Sequence, residues 1–157
     1  MEYTDYYVAK GKLEVTKEII KKEVNHAIID DRQDDFFPFV VWEANEDFEN
    51  KWDWLLKVFD AEGGAWGFTL FKLGEPIMSA TYGENSEWGI DLSDNGYKGD
   101  LNESAEELGV KVSELEKCLN DKGVEQFCIL VGFEHRYMLY PYEGEEPEGV
   151  FFMSQYN

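Results

Sequence analysis

Three apolar runs between residues 65 and 92 constrain this fold more than any other feature of the chain. They read AWGFTLFKL, PIMSATYG and EWGIDL, with only GE and GENS between them. Short runs of aromatic and β-branched residues, broken by Gly, Asn and Ser, are expected to pair as an antiparallel meander. Three further runs near the C-terminus, QFCILVGF, RYMLYPY and GVFFMS, also read as strands and predict a C-terminal hairpin. The opening YYVAKGKLEV suggests two short strands about a Lys10-Gly11 turn. FFPFVVW reads as another strand, with Pro38 placing it at an edge or at a strand start.

Helices are expected between these runs. Thr16 can cap one that continues to Ile28, with Ile19, Ile20, Val24, Ala27 and Ile28 on its apolar side. The clearest helical period lies between Glu46 and Ala61, where Phe48, Trp52, Leu55, Leu56 and Phe59 recur at i, i+4, i+7, i+8 and i+11. Asn45 would cap that helix and Gly63-Gly64 would stop it. Trp54 falls off the stripe and is left for solvent or for a partner. A helical pair, Glu103 to Leu108 and Glu114 to Leu119, is split by Gly109, with Ser113 capping its second member. The sum is a single α+β domain over residues 1–157: a largely antiparallel sheet with two to four helices packed on one side.

Length and composition agree with a packed domain. The chain has 157 residues, 43% of them apolar, including 5 Trp, 9 Tyr and 11 Phe. Disordered chains lack such residues, and a chain of this length builds one core more readily than two. No apolar run is long enough to span a membrane. The N-terminus carries no secretory pattern, which predicts a cytoplasmic protein. Cys118 and Cys128 are then expected to be reduced and buried.

Charge excludes more than it identifies. The net charge is −20, and it is uneven. Residues 1–24 hold five acids and five bases, whereas residues 25–157 hold 29 acids against nine bases. Such a chain repels nucleic acid and anionic membranes and attracts basic proteins. Halophilic adaptation would also give an acidic chain, but the aromatic content and the 12 lysines fit it poorly.

Motifs for chemistry are thin. DLSDNGYKGDLNE begins like a calcium loop, with Asp91, Ser93, Asn95 and Gly96 in place. Position 12 is Asn102 rather than a bidentate Glu, so a turn about Asn95-Gly96 is the better reading. SAEELGVKVSELEKCLN has the cadence of a helix-turn-helix, but its second helix opens with Glu114 and Glu116, which phosphates would repel. There is no nucleophile elbow, phosphate-cradling glycine loop or His-Cys metal cluster in the sequence. His26 and Asp30 at i, i+4 on a helix could orient an imidazole, although a helix-end histidine is ordinary structure. His135 reads as a turn or edge residue. No cofactor and no metal are expected.

Two acidic clusters remain. Asp30, Asp31, Asp34 and Asp35 lie beside Phe36, Phe37 and Trp42; Glu143, Glu145, Glu146 and Glu148 follow Tyr140 and Tyr142. Carboxylates interleaved with aromatics suit a basic groove built for phosphates and stacked bases. A chain of this mass exposes about 8,000 Å², or one net charge per roughly 400 Å². B-DNA carries one per roughly 100 Å², so DNA mimicry needs the charge gathered on one face. The expected function is a non-enzymatic acidic inhibitor of a basic, nucleic-acid-binding protein, of the anti-restriction or anti-CRISPR type carried by phages and mobile elements. The contact residues would be the two clusters and Trp54. An immunity protein against a nuclease toxin is the nearest alternative, ahead of an acidic scaffold or regulatory module and of an enzyme with a carboxylate site.

Overall fold

The computed structural model describes residues 3–61, 65–83, 96–121, 123–135 and 149–152. They form an eight-stranded, mostly antiparallel sheet with four helices, the α+β class expected. The elements are β1 (Tyr3–Lys10), α1 (Leu13–Glu23), β2 (His26–Ile29), β3 (Phe36–Trp42), β4 (Trp54–Ala61), β5 (Ala65–Lys72), β6 (Glu75–Tyr82), β7 (Gly96–Gly99), α2 (Leu101–Leu108), α3 (Val112–Asp121), α4 (Val124–Val131) and β8 (Gly149–Phe152). The strand order is β7-β6-β5-β4-β1-β3-β2-β8, so the N-terminal strand sits in the middle.

The first two strands of the expected meander are present as β5 and β6. β4, β5 and β6 pair antiparallel in sequence, and β6 then pairs with β7. EWGIDL lies outside the described residues, and β7 is built from the GYKG that follows it. RYMLYPY lies outside them too, so the expected C-terminal hairpin has one described member. That member, β8, pairs parallel with β2, with His26 opposite Gly149 and Ile29 opposite Phe152.

Each strand near the middle serves two cores, because alternate side chains leave opposite faces of a sheet. On β1, Tyr6 and Val8 join one cluster, while Ala9 joins the other and Tyr7 packs against it. The first core is closed by α2, α3 and α4 through Ala105, Leu108, Leu115, Leu119, Phe127 and Val131. The second is closed by Ile20 and Val24 at the end of α1 and by Phe48 and Trp52. Helices therefore lie on both faces, three on one and α1 on the other, which corrects the one-sided expectation.

Two elements exchange type relative to the sequence reading. Glu46 to Ala61 is not a helix: one 3-10 turn covers Phe48–Lys51, and β4 follows. Leu55 feeds the second core while Leu56 and Val58 feed the first. Burial on both faces fills consecutive positions with apolar residues, and that imitates a helical stripe. Trp52 is still core, stacked on Phe39 at 5.4 Å between ring centroids. The ring of Phe59 covers Gly67, its cross-strand partner, leaving no room for a side chain there. QFCILVGF, conversely, is not a strand. Most of it belongs to α4, which buries Val124, Phe127, Cys128 and Val131 at i, i+3, i+4 and i+7.

Other boundaries move for local reasons. YYVAKGKLEV is the end of β1 and the start of α1, not two strands. Thr16 is buried inside α1 rather than capping it, and Lys12 takes the cap position without a side-chain bond. Ala27 and Ile28 belong to β2, since α1 ends at Glu23. Pro38 is the third residue of β3, between β1 and β2 rather than at an edge. It fits because the β2 ladder ends at Ile29, and Asp30 N–H donates to the Pro38 carbonyl at 2.8 Å without needing a proline N–H in return. Asp100 caps α2, accepting from the backbone N–H groups of Asn102 and Glu103 at 2.9 and 3.1 Å. Gly109 ends it in the left-handed region at φ 74°. Ser113 lies within α3, one residue after its start.

Candidate functional site

At one end of the sheet, the β2–β3 loop faces the start of α1 across an open cleft of about 500 Å³. Gly11, Lys12, Leu13 and Glu14 form one wall, with Asp31, Gln33, Asp34, Asp35 and Phe37 opposite. A backbone bond from Gly11 N–H to the Asp35 carbonyl, 3.1 Å, ties the two walls together. The lining thus brings four carboxylates and one lysine into a concave space. Asp34 and Asp35 are exposed, and Asp31 is half-buried. One carboxylate oxygen of Asp31 and the amide oxygen of Gln33 are buried and have no hydrogen-bond partner among the described residues. Arg32, in the same loop, pairs with Asp30 and also interacts electrostatically with Asp31.

Asp30 stands apart from its neighbours in the sequence cluster. It is fully buried, and its two carboxylate oxygens accept from Arg32 Nε at 2.9 Å and from a terminal Arg32 nitrogen at 3.1 Å. The Arg32 backbone N–H adds a third bond at 3.1 Å. This paired carboxylate holds the loop in shape, and Asp30 does not line the cleft, whereas Asp31 does. His26 is on β2, not a helix, and strand spacing of about 3.3 Å per residue keeps it from Asp30. Its Nδ1 is buried and has no hydrogen-bond partner among the described residues.

Trp54, expected at the surface, is half-buried on β4. Its indole N–H donates to the Glu107 carbonyl at 3.1 Å, and Lys10 Nζ lies 5.4 Å from its ring centroid. It fastens the end of α2 to the sheet. Glu143, Glu145, Glu146 and Glu148 lie outside the described residues, as do Tyr140 and Tyr142.

Acidic charge also gathers on the three-helix face. Asp100, Glu106, Glu114, Glu116 and Glu125 are exposed there, with Lys111 and Lys117 the exposed bases among the described residues of α2–α4 and their links. Glu107 and Glu103 are held by Lys72 at 2.8 and 3.8 Å. α1 on the opposite face is balanced, with Lys17, Lys21 and Lys22 against Glu14, Glu18 and Glu23. The neutral N-terminal segment and the acidic remainder thus lie partly on opposite faces.

A second constellation was invisible in the sequence. His135 is buried beneath the sheet, with Nε2 at 3.0 Å from Asp60 Oδ2 and Nδ1 at 2.7 Å from the Tyr6 hydroxyl. Cys128 Sγ lies 3.8 Å from that hydroxyl and 3.9 Å from Nδ1. A carboxylate can only accept, so Nε2 carries a proton toward Asp60. In the neutral ring Nδ1 then accepts from the Tyr6 O–H, and the Cys128 S–H is free to donate to the Tyr6 oxygen. The order acid, imidazole, thiol is that of a nucleophilic triad. Yet Cys128 is 0% exposed, and burial pushes its thiol up to about 12. An attacking thiol must reach its substrate and be ionised near neutral pH; this one is sealed and protonated. The node joins β1, β4 and the end of α4. His135 is therefore a core residue rather than a turn or edge residue. Cys118 is buried as well, as expected for both cysteines.

Among the described residues, no helix is long and apolar enough to cross a membrane. Comparison of the chain with family models, with curated proteins and with solved structures found no match.

Proposed function

We propose that the protein is an acidic inhibitor that binds and blocks a basic, nucleic-acid-binding partner, with the cleft between α1 and the β2–β3 loop receiving basic side chains of that partner. The observation that carries this reading is the cleft's imbalance: among the described residues that line it, Asp31, Asp34, Asp35 and Glu14 face one lysine, and acceptors on Asp31 and Gln33 are buried without donors. An arginine supplies five donors and a fixed positive charge, and it pairs with carboxylates in a planar fork. Opposite charge on the two proteins would speed encounter, and the exposed acids of the three-helix face would add to that steering. Anti-restriction and anti-CRISPR proteins of phages and mobile elements share this size and charge, which supports placing the protein among them.

Capture from a bacterial lysate at low salt tests the proposal, with the parent beside a variant carrying Asp31→Asn, Asp34→Asn and Asp35→Asn. The parent should retain basic nucleic-acid-binding proteins that duplex DNA displaces, and the variant should retain much less of them. Equal retention by both proteins, or capture that DNA leaves untouched, contradicts the proposal.

A further inference from the structure

We draw no further inference here: the strongest candidate, a cation or guanidinium subsite in the cleft between the start of α1 and the β2–β3 loop, is an acidic cluster at a helix N-terminus whose unpartnered oxygens belong to the partly exposed side chains of Asp31 and Gln33, and nothing in the structure identifies what it holds.

Discussion

The buried node around His135 and the cleft around Asp31 are both built from polar side chains, and they treat those groups in opposite ways. At the node the two imidazole nitrogens, the Tyr6 hydroxyl and an Asp60 oxygen all find partners within the protein. At the cleft, two buried oxygens find none among the described residues, and the carboxylates of its described lining outnumber the basic groups. A satisfied buried network stabilises one arrangement of the chain, whereas an unsatisfied one costs stability until something outside completes it. The node therefore belongs to folding; under the proposed function the cleft serves binding, so variants at the two places should fail in different ways.

The largest effect is expected from His135→Ala. It leaves Asp60 and Tyr6 without their shared partner and opens a gap under the sheet, so urea unfolding should show a loss of about 3 kcal/mol. Alkaline pH attacks the first core, at Cys128 beside the node and at Tyr82 on β6. Burial pushes Cys128 and Tyr82 each up to about 12, while in the unfolded chain they lose their protons near about 8.5 and about 10. Between those values and about 12 the folded state binds more protons, so stability should fall as pH rises. Native protein at pH 8 should also resist thiol labelling at both cysteines, and urea should expose both. Labelling of Cys128 in the native state would contradict its assignment to the core.

Tyr6→Phe keeps the ring and removes the hydroxyl, so about 1 kcal/mol is expected in the same unfolding assay. The smallest stability change belongs to the cleft. Asp31→Asn, Asp34→Asn and Asp35→Asn together should move unfolding by no more than about 0.5 kcal/mol, and relief of repulsion favours a gain. A loss of several kcal/mol there would make the cleft structural and erase the contrast with the node.

Much of the fold was legible because some segments carry a single pattern. β5 and β6 are short, apolar and separated by Leu73-Gly74, and α2 and α3 show helical spacing broken at Gly109. β4 and α4 were exchanged for physical reasons. β4 is buried on both faces, so the two-residue alternation that marks a strand is lost and Trp52, Leu55, Leu56 and Phe59 fall at helical intervals. α4 has the helical interval, but its Val, Phe and Ile content favours a strand by propensity. The node had no local signal at all, since Tyr6 and His135 are 129 residues apart. The acidic run of the cleft could be read directly. Its concavity could not, because Gly11 to Glu14 come from a different segment, and neither could the removal of Asp30 into a bond with Arg32.

On the proposed function the cleft, rather than acidity in general, receives basic groups. Titrating isotope-labelled protein with a tetra-arginine peptide at low salt, and following its amide and carboxylate NMR signals, tests this without a purified partner. Shifts should concentrate at Gly11 to Glu14 and Asp31 to Asp35, fade as salt rises toward physiological strength and be absent in the triple Asn variant. Shifts of equal size along the exposed acids of α2 and α3, or larger ones there than at the cleft, would contradict it.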